Sequence, residues 1–590
     1  MEKKFKRNAV LIRRKFNSYL VPGAMMIVAT QLGNVVDSIF VSSMIDLDGM
    51  TAISLSFPVL GIIQILGAMM GAGSAAMISV LLGKRQMEEA GEVFSAGLVT
   101  VIGLSLLFTA AAPFVTRPVA SLLTPSPVLA AYLEQYLLIF ILCVPVINLC
   151  LYMANIMTID NSPKLGAACF IIANAVNLIL DYVFLKAGMG MQGSALSTVI
   201  GYTVGLLVII LYIRSPGRLL SFSLKKMKAG MRSIFQVVRA GAAQGSLYVM
   251  TILQDLTMNL LIQHAMGPDY LAIYAVCIRS VSIVRLFIEG VVGLVQTIGG
   301  VLFGEKDYYG VRALMKREVK VTIGLSLLLT AFFFTVPQAL LSLFSFNKAE
   351  LYQTAITCVR IFSFSLVFFA ANQLVQVYYQ ATLHTSLATM NAVLEGYVFL
   401  VPLVYLLMRL SGIQGVCAGV VLTEALSFGF VWLYRAFRQR QGKLPPKGFL
   451  MIPEEDGDVL FDVTISSTEN DAVQAAEELL ACCREHGIPE KTANALCMAA
   501  EEMSVNIARH GYDRKRPCAI DIALSRADHS LILRLRDDGV SFNPTEYQPE
   551  EAEIYKITGI QIIRRMTDRM SYARVLNMNN TIIEVTEEAV

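Results

Sequence analysis

Along most of this chain the apolar positions are continuous rather than periodic. Runs rich in Leu, Ile, Val, Phe, Ala and Gly lie near 19–43, 53–82, 94–116, 130–155, 165–187, 193–213, 233–264, 270–303, 320–345, 354–383, 388–409 and 413–436. A helix needs about 20 apolar residues to cross a bilayer, so the pattern predicts about twelve transmembrane helices, the longer ones tilted or kinked. Pro22, Pro58, Pro145 and Pro402 fall inside these runs. There a missing backbone donor invites a bend that neighbouring helices must satisfy. Near residue 440 the pattern changes. Strand periodicity is expected at 461–465, 519–524, 531–535 and 581–585, and helical periodicity at 472–485, 491–510 and 560–570. This is a soluble α+β domain of about 140 residues, enough for one core.

The apolar part repeats itself. Gly190-Met-Gln-Gly193 precedes the sixth run and Gly412-Ile-Gln-Gly415 the twelfth; Leu82-Gly83-Lys84 ends the second and Phe303-Gly304-Glu305 the eighth. Two six-span halves of the same orientation follow, joined by the basic loop 214–232. Duplicated lobes around a cavity are the geometry of alternating-access carriers.

Charge orients the spans. Lys3, Lys4, Lys6, Arg7, Arg13, Arg14 and Lys15 precede the first run, and Lys84, Arg85, Lys164, Arg218, Lys225, Lys306, Arg312 and Arg438 lie in alternate loops. The intervening loops hold little more than Asp46, Asp48, Arg117, Lys186, Asp269 and Lys348. Lys/Arg excess marks cytoplasmic loops, which predicts both termini, and the soluble domain with them, on the cytosolic side of the cell membrane. The apolar run after the basic N-terminus is too long for a signal h-region and has no small-residue cleavage site. Of the 590 residues, 55% are hydrophobic and 16% charged, against roughly 25% charged in a soluble chain. A net charge of +3 gives no nucleic-acid signature. The ten Cys form no C-x-x-C pair and no metal spacing.

A charge at the bilayer centre costs about 2.5–3.5 kcal/mol on insertion scales, so it faces a cavity or a partner. Asp37 lies mid-span with Asn34 three residues before it, and Asp181 lies four after Asn177 on one helix face. Two carboxylates with amide neighbours in one half can hold a proton or Na⁺; the alternative is a fixed hydrogen bond for each. The second half holds Asp255, then Arg279, Arg285 and Glu289 along one span, then Glu395 and Glu424. The spacing predicts an Arg285–Glu289 pair. The acids of this half, Asp255 and Glu289 among them, can also attract a cationic substrate.

Pro22, Asn34-Val-Val-Asp-Ser-Ile-Phe-Val41, Ala52-Ile-Ser-Leu-Ser-Phe-Pro58, Gly71-Ala-Gly-Ser74 and Leu82-Gly-Lys84, with Asn177 to Phe184 and Gly190-Met-Gln-Gly-Ser-Ala-Leu-Ser197, resemble the first half of a multidrug and toxic compound extrusion (MATE) transporter. The resemblance covers roughly 15–440. It implies an all-α polytopic fold of two six-helix lobes in the lipid bilayer. It also implies export of small amphipathic, often cationic, organic substrates in exchange for H⁺ or Na⁺. On that pattern Asp37, Asn177 and Asp181 are the ion-coupling residues, and Asp255 is the nearest candidate for an acid of the seventh span.

In the soluble part, Glu502, Asn506 and His510 share a helix face by their spacing of four. A carboxylate there can accept a proton, and an Asn oxygen can ligate Mg²⁺. Asp537 precedes the turn Asp538-Gly539 at a strand end, and Gly559 opens a helix whose N-terminus favours phosphate. Taken with their order, Glu501-Glu-Met-Ser-Val-Asn-Ile-Ala-Arg-His510, Asp537-Asp-Gly-Val-Ser-Phe-Asn-Pro544 and Thr558-Gly-Ile-Gln-Ile-Ile-Arg-Arg565 resemble the N box and two glycine boxes of the Bergerat-type ATP-binding fold. The resemblance is nearest to the anti-sigma-factor serine kinases, with Asn580-Thr581 at the closing strand's Asn motif. It implies an α+β sandwich binding ATP with Mg²⁺: Glu502 as base, Asn506 as metal ligand, Asp537 as adenine reader, and Gly539 and Gly559 in the nucleotide loops. Ser541 stands where that family has Gly.

The expected organisation is a basic cytosolic N-terminus (1–16), an N-lobe (17–213), a linker loop (214–232), a C-lobe (233–437), a basic linker (438–455) and the ATP-binding domain (456–590). The function expected is a secondary exporter with a regulatory nucleotide-binding domain. One alternative is a membrane-anchored serine kinase acting on a cytosolic partner protein. The other is an ATP-driven pump, against which stands the lack of a G-x-x-x-x-G-K-[ST] loop.

Overall fold

A computed structural model describes residues 4–44, 47–124, 126–215, 217–343, 349–442, 450–452, 459–511, 519–527, 530–547 and 559–586, with backbone alone for 30–44, 47–54 and a few single positions. The chain divides into two compact units. One comprises Asn17–Asp307 and Leu314–Met451; the other comprises Met1–Phe16, Tyr308–Ala313 and Ile452–Val590.

The larger unit is helical. Its first half contains α1 (Val10–Met44, entering from the other unit), α2 (Leu47–Gly83), α3 (Met87–Leu123), α4 (Pro127–Leu142), α5 (Val144–Ile159), α6 (Pro163–Lys186), α7 (Gly190–Leu206) and α8 (Val208–Ile213). A connector, α9 (Leu224–Gly230), leads to α10 (Ile234–Met266), α11 (Pro268–Leu294), α12 (Gly300–Gly304), α13 (Tyr308–Thr335), α14 (Pro337–Leu343), α15 (Tyr352–Ser363), α16 (Ser365–Ala381), α17 (Thr385–Val393) and α18 (Leu400–Arg440). Among the described residues nine helical runs are long and apolar enough to cross a membrane, ten when α4 and α5, bent by 54°, count as one span. The continuous helix α1, and the division of the last run at Ser411 and Gly412, where the backbone leaves helical geometry, account for the spans that the apolar runs predict. Leu107, Phe114, Leu122, Leu328 and Leu410 expose more than half of their surface, as side chains facing lipid do.

The duplication is visible in the backbone. Gly190 and Gly412, which open the repeated Gly-x-Gln-Gly segments, both adopt positive φ (56° and 61°). So do Arg85 and Lys306 (63° and 57°) and Asn161 and Leu383 (58° and 60°). A non-glycine residue is rarely found there, so matched pairs at one spacing are hard to produce without a repeat. The repeated glycines also pack on each other. A Cβ on Gly83 would lie 2.1 Å from the Val301 carbonyl, and one on Gly304 would lie 2.2 Å from the Val80 carbonyl. The ends of α2 and α12 therefore touch backbone to backbone.

The smaller unit holds a five-stranded antiparallel sheet of order β1-β2-β3-β5-β4. Its strands are β1 (Val459–Ser466), β2 (Ala519–Ala527), β3 (Ser530–Asp537), β4 (Arg569–Val575) and β5 (Met578–Thr586). Three helices, α19 (Glu469–Glu485), α20 (Glu490–His510) and α21 (Gly559–Met566), pack on it. Thr468 caps α19 by accepting from the Asp471 N–H at 3.2 Å. Alternate strand residues such as Val463, Ile465, Ile522, Leu533 and Leu535 meet Leu479, Leu496, Met503 and Ile563 of the helices in one core. The helix expected over 560–570 is shorter. It ends at Met566, and Arg569–Val575 forms the edge strand β4.

Candidate functional sites

In the first half, Asn177 and Asp181 stand on one face of α6 and are buried to within 2%. α7 can approach them because Gly201 and Gly205 carry no side chain: a Cβ at either would fall 2.4 or 2.6 Å from a carbonyl of α6. The approach brings hydroxyls to the acid. Ser197 donates to Asp181 Oδ1. The Asn177 amide lies 3.5 Å from Asp181 Oδ2 and donates to Thr198 Oγ1 at 2.9 Å. Asn177 Oδ1, also buried, accepts no hydrogen bond from the described residues. Asp37 and Asn34 lie in α1, but their side chains fall outside the described residues. Thr198 was not singled out by sequence; a hydroxyl one residue beyond a recognised motif gave no pattern of its own.

In the second half, the expected Arg285–Glu289 pair does not form a hydrogen bond. The Arg285 guanidinium turns instead to Glu424 of α18, with Nη2 to Oε1 at 2.7 Å, and lies over the Phe369 ring, 4.0 Å from its centroid. Asn372 of α16 donates to the other Glu424 oxygen at 2.9 Å, which completes the carboxylate better than a same-helix neighbour could. Glu395 sits in a π-helical turn, Leu394–Val398, a geometry frequent at functional positions. Its carboxyl lies next to that of Glu424. Glu289 keeps Arg285 and Tyr248 as electrostatic neighbours, and Asp255 has Arg279. No i,i+4 rule reveals partners 139 residues apart in sequence.

In the smaller unit the residues selected from sequence converge. Asn506 donates to Glu502 Oε1 at 3.1 Å, one turn away on α20. Gly559 opens α21 directly against that acid: a Cβ there would lie 2.1 Å from the Glu502 carboxyl. Asp537 ends β3 and is 3% exposed. Its Oδ1 accepts from the Gly539 N–H at 2.8 Å and from Asn579 at 2.9 Å. Burial pushes this carboxyl up to about 6, against the pull of those two donors. Gly539 is also required sterically, since a Cβ would meet the Gly511 carbonyl at 2.3 Å. The Val540 N–H donates to that carbonyl at 2.7 Å, tying the turn to the end of α20. Asn579, rather than Asn580, is the closing-strand amide that reaches Asp537, and it accepts from Tyr572 and Arg574 at 2.8 and 2.6 Å. Asn579 stands opposite Asp537 in the strand register, one residue before the Asn580-Thr581 motif. His510 shares the face of Glu502 and Asn506 by spacing but is exposed.

Comparison with known proteins bears on each unit. The family model MatE matches residues 22–183 and 247–406, more than half of the chain. The model described as Histidine kinase-like ATPase domain matches residues 465–586. Proteins named Multidrug export protein MepA are similar: that of Staphylococcus aureus (strain MRSA252) is 24% identical over 396 residues, 66% of this chain and 85% of its own. That of Staphylococcus saprophyticus is 24% identical over 393 residues, with the same shares. Among solved structures, one titled as the outward-facing conformation of a multidrug resistance MATE family transporter covers 74% of this chain and 98% of its own at 18% identity, with a TM-score of 0.68. A structure of the MATE multidrug transporter DinF-BH covers 75% and 99% at 23% identity, with a TM-score of 0.67. These similarities establish the fold. The chain is thus a polytopic membrane protein of the MatE family that carries a C-terminal histidine kinase-like ATPase domain.

Proposed function

We propose that this protein is a secondary active exporter of the cell membrane, with both termini cytosolic. It antiports amphipathic, cationic organic compounds against H⁺ or Na⁺ by alternating access of its two lobes, under the control of an ATP-binding domain. The observation that carries the transport reading is the Asp181 cluster. A carboxyl is held inside the bundle by a hydroxyl and an amide, which are neutral donors, with an orphaned acceptor oxygen on Asn177 beside it. A carboxylate so deep in the bundle is costly, and a cation that visits during the cycle would offset part of that cost. Asp37 is the second coupling acid. Each carboxyl takes up H⁺ or Na⁺ on the side from which the ion enters and releases it on the other as substrate exchanges. The acids Asp255 and Glu289 of the second half supply negative charge suited to organic cations. The relatives named for multidrug export and the Lys/Arg excess of alternate loops support this reading.

In the C-terminal domain, the Asp537 carboxylate is the adenine reader, backed by Asn579. Asn506 spends its NH₂ on Glu502, which leaves its oxygen for Mg²⁺. Glu502, pinned against Gly559, is the base for any phosphoryl chemistry. ATP with Mg²⁺ would bring a polarised γ-phosphate to this acid.

The test is transport in proteoliposomes. A pH or Na⁺ gradient imposed without nucleotide should drive accumulation of a fluorescent organic cation. Transport that ignores both gradients and starts only with Mg²⁺-ATP would replace the antiporter with a primary pump.

A further inference from the structure

The sheet of the smaller unit has a second face. Strand residues that alternate with the core positions point there: Asp462 and Thr464 on β1, Asp521 on β2, and Arg534 and Arg536 on β3. Such a face is ordinarily wet, yet Asp521 is 2% and Arg536 1% exposed. Part of the cover is the chain's own N-terminal segment, which belongs to the same compact unit.

The segment is held at both of its ends. Lys4 donates its backbone N–H to Glu478 of α19 at 2.9 Å, and Phe5 packs against the core. The Thr464 N–H donates to the Lys6 carbonyl at 3.4 Å, and the Asn8 N–H donates to Thr464 Oγ1 at 3.0 Å. These bonds occupy the open edge of β1, which would otherwise invite another strand. Arg7 pairs with Asp521 and lies 3.6 Å from Asp462, its side chain only 5% exposed. The Tyr309 hydroxyl of the same unit donates to the Arg7 carbonyl at 3.1 Å.

The end of the segment meets the strand ends that carry the adenine reader. In the first turns of α1, Arg14 lies 3.5 Å from Asp538, the neighbour of Asp537. Lys15 donates to the Asn577 carbonyl at 2.8 Å, in the β4–β5 turn. Asn577 lies two residues before Asn579, whose amide holds Asp537. Two cations therefore fix both chain segments from which the reader is built.

We propose that residues 4–16 are a resident ligand of the ATPase sheet, and that Arg14 and Lys15 are positioning residues of the nucleotide site. Nucleotide binding and docking of the N-terminal segment are then linked. Linkage between two binding events is reciprocal: each tightens the other by the same factor. Helix α1 runs on from Val10 to Met44 and contains Asp37. The inference rests on the reading of the domain as nucleotide-binding.

The experiment uses the full-length protein in proteoliposomes. The segment carries tryptic sites at Lys4, Lys6, Arg7, Arg13, Arg14 and Lys15, and cleavage there is followed by mass spectrometry. Saturating Mg²⁺-ATP should slow cleavage about fivefold or more. Arg14→Ala with Lys15→Ala should weaken binding of a fluorescent ATP analogue by the factor by which protection at Lys4, Lys6 and Arg7 is lost. Arg14→Lys with Lys15→Arg should restore both, which a general packing defect would not permit. If the wild type binds nucleotide but its cleavage is unchanged and the double Ala variant binds as well as wild type, the linkage is overturned while the domain's assignment stands. If the wild type binds no nucleotide, the nucleotide-binding reading fails and the linkage with it.

Discussion

A buried acid is informative by the partners it has. Asp181 is met by Ser197 and Asn177, whereas Glu424 is met by Arg285 and Asn372. The first acid meets neutral donors, and the second meets a fixed cation; on the proposed function the first is the one that a mobile cation visits. Asp181→Asn keeps the shape and one acceptor oxygen but removes the charge. We expect gradient-driven export to fall by about tenfold or more while binding of a fluorescent substrate survives, since coupling rather than the pocket is lost. An Asp181→Asn protein that exports at the wild-type rate would return this carboxyl to a structural role. Asp537 is a third case. Burial raises its carboxyl to about 6, above the usual range for Asp. Between the unfolded value and about 6 the folded state therefore binds more protons than the unfolded, so this group favours folding at low pH and opposes it as pH rises through 6. Reading an adenine amine needs the ionised form. Nucleotide affinity should therefore drop about tenfold between pH 7.5 and pH 5, and a fluorescence titration of Asp537→Asn should show weak binding with no such slope.

At the level of elements, two kinds of glycine behave differently. Gly83 and Gly304 hold α2 and α12 in backbone contact, and neither carbonyl can retreat. Gly304→Ala should cost about 1–3 kcal/mol by overpacking, seen as a lower melting temperature of the detergent-solubilised protein. Gly559 faces the flexible end of Glu502. Gly559→Ala should leave the melting temperature nearly unchanged and disturb nucleotide binding instead, because Glu502 swings and Asn506 loses its partner. Hydropathy made the spans legible, because a bilayer imposes length and composition on every crossing, and the repeated glycine segments made the duplication legible. Edge strand β4 was not legible. Its residues Arg569 to Val575 are mostly half-buried without alternation, so they read as the tail of the amphipathic helix before them. Tertiary pairing was least legible. Spacing joined Arg285 to Glu289, while the fold offered it a carboxylate already braced by Asn372. The close approaches at Gly539 and Gly559 were more legible, because a local steric demand for glycine leaves a mark in the sequence itself.

For the whole molecule the question is which free energy drives transport. A histidine kinase-like ATPase domain fused to a carrier invites the idea of a pump, but a pump must lose its drive when nucleotide binding is lost. A regulated antiporter must not. Asn506→Ala and Asp537→Asn remove the proposed metal ligand and the proposed adenine reader and leave the domain's core of Leu479, Leu496, Leu533 and Ile563 unchanged. In proteoliposomes with an imposed ion gradient and no nucleotide, both variants should export like the wild type. On addition of Mg²⁺-ATP, the wild-type rate should change while theirs stays fixed. The gradient supplies about 1.4 kcal/mol for each tenfold ratio of ion concentration, so a steady-state substrate ratio that follows the gradient and ignores nucleotide locates the energy source in the membrane unit. If instead both variants lose export under every gradient tested, nucleotide is fuel, and the buried acids of the bundle need another explanation.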